Sequence, residues 1–324
     1  MSRTPRKHRS AYRVLSSLAL LTLAAGAVTA CSDGDSSSSR SSSSRSASSS
    51  ASSSASSSAS SSASARAGRA AGAKLRMVDN DGHRLAFFVT QGNGSTIVLD
   101  SGGGEYSSQW KDIVPRLHAA TGATVITYDR AGLGRSDVVP GPWKVESAVS
   151  DLEAGLEQLG ITTDVTLVAH SQAGEIANYL ARDNPTMLSG AVLVDANLPQ
   201  FFTDEEIARL VAASQPEVDA ARKDPEKPAN RQLISTAEGF AAAHHAFHEV
   251  TWPDSVPVMV MVSGKTPFGG SPEDAQRWRD AAASFVKEAP NRTLVTATGT
   301  SHELPTEHPD LVLKAIEDMF AAQH

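Results

Sequence analysis

The sequence predicts an α/β fold, a mostly parallel sheet with helices on both faces. Three observations predict it. From Leu75 onward, short apolar runs alternate with segments whose apolar residues recur at helical spacing. The first two strand-like runs flank Asp81-Gly82, a pair suited to the tight turn of an antiparallel hairpin. The stretch Asn197–Asp254 breaks the alternation with charged, helix-patterned sequence that holds no strand run.

Taken in order, Leu75–Asn80 and His83–Thr90 form the opening hairpin. Thr96–Asp100 is a short apolar strand that runs into three glycines, Gly102 to Gly104. Ser107–Ala120 places Trp110, Ile113, Val114 and Leu117 on one helical face. Ala123–Tyr128 is a buried strand, followed by a glycine-rich turn and a helix from Lys144 to Leu159. Asp164–Ala169 is an apolar strand, and Gln172–Arg182 is a helix that stops before Pro185. Gly190–Val194, Val256–Val262 and Arg292–Ala297 read as strands, with helices over Pro272–Lys287 and Pro309–Ala322. Uninterrupted apolar strands separated by helices imply a parallel sheet covered on both faces. Residues 197–254 then form a helical cap insertion over the carboxyl edge of the sheet, where sites in such folds open.

The domain starts near residue 75. Residues 1–31 carry five positive charges and no acid, then an apolar run from Val14 to Val28, then Val28-Thr29-Ala30-Cys31. The run is too short and interrupted for a membrane span and has the form of a secretory signal peptide. Its V-T-A-C ending resembles the lipobox of bacterial lipoproteins, which implies acylation of Cys31 and a lipid anchor outside the cytoplasm. Residues 32–74 are mostly serine, with no apolar face to offset the entropy of ordering, so they are expected to form a disordered linker. A coil of that length spans roughly 35–40 Å.

Charge and cysteine content exclude several functions. The whole chain is −7, and from Leu75 onward 19 basic residues face 34 acidic ones. Phosphate backbones repel such a domain, so nucleic acid is not an expected partner, and a neutral substrate is favoured over an acidic one. Cys31 is the single cysteine, so neither an intramolecular disulfide nor a cysteine-rich metal site is expected. His244 and His248 are one helical turn apart with His245 between them, but only Glu249 adds a neighbouring ligand. They are read as cap or surface residues, with no metal or organic cofactor.

The chemistry centres on Val168-Ala169-His170-Ser171-Gln172-Ala173-Gly174, between a strand and a helix. A serine there sits on a sharp turn with its hydroxyl presented, and Ala169, Ala173 and Gly174 supply the small residues that such a turn needs. The Ser101-Gly102-Gly103-Gly104 loop can turn backbone N–H groups toward a reacting carbonyl, and the N–H groups of Gly103 and Gln172 are the candidate oxyanion hole. Thr300-Ser301-His302 follows the last strand and brings an imidazole to the sheet edge facing Ser171. His170 is expected to pack and hydrogen-bond rather than act as the base. Tyr106 is a candidate substrate contact and Trp110 a core residue, while Asp129 and Arg130 are expected to pair and hold their turn.

From Leu75 to the C-terminus the chain resembles the α/β-hydrolase superfamily, on Tyr128-Asp129-Arg130-Ala131-Gly132-Leu133-Gly134-Arg135-Ser136-Asp137, on Val192-Leu193-Val194-Asp195-Ala196 and on the serine turn. More narrowly it is similar to bacterial members that read L-D-S-G-x-G at the oxyanion loop. The resemblance implies Ser171 as nucleophile, His302 as base, and Gly103 and Gln172 as oxyanion donors. Ser101 stands where many relatives carry histidine, and its hydroxyl is expected to order the loop. Many relatives place the acid after the strand Val256–Val262, but here no carboxylate follows until Glu273 and Asp274. Asp195, at the end of the strand after the serine helix, is at a position that some members use. It is the preferred acid, with Glu273 or Asp274 as alternatives. The expected activity is hydrolysis of a carboxylic ester, or a related amide, lactone or thioester, of modest size. A ligand-binding lipoprotein on the same fold, and a cofactor-free oxidative or transferase relative, are the competing expectations.

Overall fold

A computed structural model describes residues 72–265 and 271–324. The expected signal peptide, Cys31 and all but the last residues of the serine-rich linker lie outside the described residues. Strand β1 (Lys74–Asn80) and β2 (His83–Thr90) pair through a two-residue turn. Asp81 and Gly82 have φ of 45° and 83°, the left-handed values this turn requires. There follow β3 (Thr96–Asp100), a 3₁₀ turn (Ser107–Trp110), α1 (Val114–Thr121), β4 (Thr124–Asp129), α2 (Val145–Gln158), β5 (Val165–His170) and α3 (Ala173–Asp183). Beyond these come β6 (Leu188–Val194), a 3₁₀ turn (Pro199–Phe201), α4 (Asp204–Ala221), α5 (Pro228–His248), β7 (Val258–Ser263), α6 (Pro272–Lys287), β8 (Arg292–Ala297), α7 (Leu304–Glu307) and α8 (Pro309–Gln323).

The eight strands form one sheet in the order β1-β2-β4-β3-β5-β6-β7-β8, in which β2 runs against its neighbours and all pairings from β4 to β8 are parallel. The chain moves outward from β3 to β4, then crosses back to β5 on the other side of β3. The carboxyl ends of β3 and β5 therefore lie at a topological switch point, where connecting loops diverge and leave a crevice.

Side chains alternate between two cores, as strand pleating demands. Val98, Leu167, Ala169, Ala191 and Leu193 face α2, α3 and α6. Ile97, Leu99, Val168, Val192 and Val194 face α1 and α8. Because both faces are covered, β3, β4 and β5 are buried at every position and read in the sequence as unbroken apolar runs. The helices α4 and α5 fill the stretch that interrupts the alternation. They add Ile207, Leu210 and Phe247 to the first core, beside Phe202 from the end of the preceding 3₁₀ turn.

The structure departs from expectation over Ser107–Ala120, which is a 3₁₀ turn followed by α1 rather than one helix. Pro115 explains the break. It has no N–H to continue a helix but fits the first turn of a new one.

Gly155 in α2 faces Phe87, where a Cβ would overlap the end of the ring. That ring is fully buried and stacked on Tyr128 at 5.1 Å, so it has no room to retreat. Replacing glycine by alanine inside an open helix adds about 1 kcal/mol of stability. Here Gly155→Ala should instead lose about 1–3 kcal/mol by overpacking, read from urea denaturation midpoints.

Candidate active site

Ser171 follows β5 directly and has φ of 55°, left-handed for a non-glycine residue. Such a conformation costs about 1–2 kcal/mol and persists only where surrounding contacts impose it. Here the Ser171 N–H donates to the Val194 carbonyl at 3.3 Å, and the Ser171 carbonyl accepts from the N–H groups of Gly174 (2.9 Å) and Asn197 (2.8 Å). Gly174 is required by close approach, since a Cβ there would overlap the Asn197 carbonyl.

Asp195 follows β6 as Ser171 follows β5. The two strands are paired with His170 opposite Val194, so the two residues leave the sheet side by side. Asp195 is also left-handed, with φ of 43°, and its N–H donates to the Met261 carbonyl at 2.6 Å. His302 comes from the loop after β8, two strands further along the sheet. That loop crosses the end of β7 where Gly264 gives it space: a Cβ on Gly264 would lie 2.6 Å from the Gly299 nitrogen.

These placements bring three side chains into one hydrogen-bonded line. The Ser171 Oγ lies 2.9 Å from His302 Nε2, and His302 Nδ1 lies 2.7 Å from Asp195 Oδ2. The second carboxylate oxygen of Asp195 accepts from the Ser263 N–H at 2.7 Å and from Trp278 Nε1 at 2.9 Å. A carboxylate so supplied with donors holds His302 Nδ1–H toward itself and leaves Nε2 free to accept the serine proton. Sequence reasoning does not identify Trp278 as a participant. The available signal is a tryptophan on the buried face of α6, whose indole N–H must find an acceptor.

The two alternative acids lie elsewhere. Asp274 closes a capping box with Ser271 at the start of α6, and also pairs with Arg209 and Arg277. Glu273 is exposed in the same turn, and hydrogen bonds from the helix N-terminus and Ser271 hold its carboxyl below the usual range. Neither is bonded to His302.

In the oxyanion loop, the N–H groups of Gly103 and Gln172 donate to no group among the described residues, whereas the Gly102 N–H is taken by Gln109 Oε1 at 3.0 Å. The loop is braced from beneath by Arg130. Its guanidinium donates to the carbonyls of Ser101 and Gly102 and pairs with Asp100 Oδ1 at 2.6 Å. Tyr128 Oη donates to the other Asp100 oxygen at 2.8 Å. This corrects two expectations. Arg130 pairs with Asp100 rather than Asp129, and Asp129 instead accepts from the N–H groups of Ser107 and Arg135. The Ser101 hydroxyl is buried without a hydrogen-bond partner among the described residues, and the loop is held through its carbonyls. Trp110 is a core residue and Tyr106 is exposed.

Two carboxylates flank the line, each adjacent in sequence to the site. Glu105 follows the glycine loop and Glu303 follows His302, and among the described residues no hydrogen bond or ion pair engages either side chain. Burial raises both carboxyls above the usual range. Glu303 pushes Glu105 further up, while the charge of His302 draws Glu303 down. His170, 2 % exposed, lies with its ring centroid 4.7 Å from that of His302. Burial, and next the charge on His302, hold it well below the usual imidazole range.

No group of three or more His, Cys, Asp or Glu side chains that could hold a metal ion exists among the described residues. His244 bonds to the Phe240 carbonyl and to Glu175, and His248 Nδ1 to the Pro199 carbonyl.

Residues 97–315 match the α/β hydrolase family, and the chain belongs to it. It is similar to a non-heme chloroperoxidase of Streptomyces lividans, 27 % identical over 59 % of this chain and 79 % of that protein. Among solved structures it is similar to a thermophilic esterase from Thermogutta terrifontis, with TM-score 0.53 and 23 % identity over 78 % of this chain and 99 % of that one. A haloalkane dehalogenase from Agrobacterium tumefaciens is likewise similar, with TM-score 0.57 and 17 % identity over 78 % and 98 %. At such identities the two structures establish the shared fold.

The neutral state of His170 has a consequence for stability. Below about pH 6.5 the imidazole of the unfolded chain gains a proton that the folded one refuses, so acidification favours unfolding. His170 should contribute a loss of about 1.4 kcal/mol per pH unit below that point and nothing above it. Unfolding free energies measured from pH 7.5 to 5 should fall less steeply in His170→Asn than in wild type.

Proposed function

We propose that this chain is a serine hydrolase that cleaves carboxylic esters through an acyl-enzyme on Ser171. The observation that carries this reading is the line from Ser171 Oγ through His302 to Asp195, closed at its buried end by Ser263 and Trp278. The hydroxyl attacks the acyl carbon while His302 Nε2 takes its proton. The oxygen that gains charge is received by the Gly103 and Gln172 N–H groups. His302 then returns the proton to the departing alcohol. Water, deprotonated by the same nitrogen, releases the acid and restores Ser171.

The nucleophile's chemistry favours acyl substrates. A hydroxyl that displaced a halide or opened an epoxide would be left as an ether, which water does not cleave under this machinery. Attack on an acyl carbon leaves an ester, which the same groups can hydrolyse. Glu105 and Glu303 disfavour an anionic substrate and fit a small neutral one. The competing reading, a ligand-binding lipoprotein, rests on the lack of an acid after β7, and the bond from His302 to Asp195 at the end of β6 supports the hydrolase reading over it. We further place the domain outside the cytoplasm, tethered by a lipid on Cys31. Membrane fractionation of the full chain beside Cys31→Ser tests this, with release of the variant expected and equal retention counting against it.

A fluorophosphonate probe should label wild type and leave Ser171→Ala unlabelled, with p-nitrophenyl ester turnover reduced on the order of 10⁶-fold. Asp195→Asn should lower kcat by about 10⁴-fold. Glu273→Gln and Asp274→Asn should retain activity. Labelling that survives Ser171→Ala would refute the assignment.

A further inference from the structure

A second hydrogen-bonded line passes behind Ser171, and its polarity can be read link by link. Gln109 is 6 % exposed, in the 3₁₀ turn below the glycine loop. Its Oε1 accepts the Gly102 N–H at 3.0 Å, which fixes the amide orientation and aims its nitrogen at His170 Nδ1, 3.1 Å away. An amide nitrogen only donates, so Nδ1 is the acceptor and the ring carries its hydrogen on Nε2. That Nε2 lies 3.0 Å from the His302 carbonyl, which can only accept. The line therefore runs Gly102 N–H to Gln109, Gln109 to His170, and His170 to the His302 backbone. A Cβ on Gly102 would lie 2.8 Å from His170 Nδ1, so the loop is pressed against the ring.

From this geometry we infer that Gln109 and His170 are positioning residues, a neutral brace that fixes the Gly103 N–H and the His302 backbone relative to Ser171. The inference rests on the hydrolase reading above. His170 precedes Ser171, so the brace is anchored in the same turn as the nucleophile. One end holds the residue before the oxyanion donor, and the other holds the residue that carries the base. Both must stay within a fraction of an ångström of the reacting atoms during attack. The brace also requires His170 to remain uncharged, since a proton on Nδ1 would face the Gln109 N–H. His302 can then become an imidazolium without a like charge on the adjoining ring.

The test compares His170→Leu, Gln109→Leu and His170→Gln on a p-nitrophenyl ester, with fluorophosphonate inactivation rates measured in parallel. A glutamine at 170 keeps one acceptor and one donor without a charge. The leucine variants should lose about 10²-fold in kcat and in the maximal inactivation rate, with KM within about twofold. His170→Gln should recover most of that loss. A deficit confined to KM, or a His170→Gln no better than His170→Leu, would overturn the brace. The ¹⁵N imidazole spectrum of wild type provides a readout independent of turnover. His170 should appear as the neutral Nε2–H tautomer at pH 7, and an Nδ1–H tautomer or an imidazolium would refute the inference even if no ester is cleaved. A wild type that shows the expected tautomer but neither reacts with the probe nor turns over would count against the hydrolase reading alone.

Discussion

Asp195 is 1 % exposed, beside a strand end that is otherwise apolar. A carboxylate without partners in such a place costs several kcal/mol, so the surrounding structure has to supply donors. Three arrive from separate parts of the chain: the Ser263 N–H at the end of β7, the Trp278 indole from α6, and His302 from the loop after β8. The packing of α6 on the sheet and the path of the last loop are thus tied to one acid. Its own left-handed backbone is held by the bond to Met261 on β7. The cost of leaving this group unpaired is what makes the order of β5, β6, β7 and β8 matter chemically.

A second buried charge supports the opposite side of the site. Burial raises the Asp100 carboxyl above its usual range, and Arg130 and Tyr128 act against that rise. The pair also does more than neutralise itself, because Arg130 donates to the Ser101 and Gly102 carbonyls as well. An arginine fork can serve a carboxylate and two carbonyls at once, which the point charge of a lysine does not do. The Gly103 N–H next to these held carbonyls donates to no group among the described residues, as the proposed anion site requires.

Much of this is legible in the sequence, and the limits have physical causes. The strands are readable because burial on both faces makes them continuously apolar, and Ser171 because its turn demands small residues at fixed offsets. His302 is readable from its place after a strand and before a helix. The acid is harder, since any carboxylate at a strand end could reach the imidazole, and only the pairing of β5 with β6 puts Asp195 next to Ser171. Arg130, just past the end of β4, is misread as the partner of its neighbour Asp129 because its true partner is 30 residues away on β3. Gln109 carries no local pattern, and the buried position of Trp278 on α6 calls for an acceptor without saying which. Their roles arise from contacts 61 and 83 residues apart in the chain.

Seen as electrostatics, the site has a direction. Ser171 sits at the positive end of α3 with the glycine loop beside it at Gly102, and a buried carboxylate lies behind His302. Acyl transfer as proposed would create negative charge beside the glycine loop and positive charge on His302. Both would appear against dipoles and charges already in place, so little reorganisation is needed when they form. His170, its ring 4.7 Å from that of His302, must then stay uncharged. Its burial and its fixed donor and acceptor partners serve that need. Glu105 and Glu303 extend the same pattern outward. The charge of Glu303 acts on His302 in the sense that favours the imidazolium, and Glu303 and Glu105 act on each other as like charges.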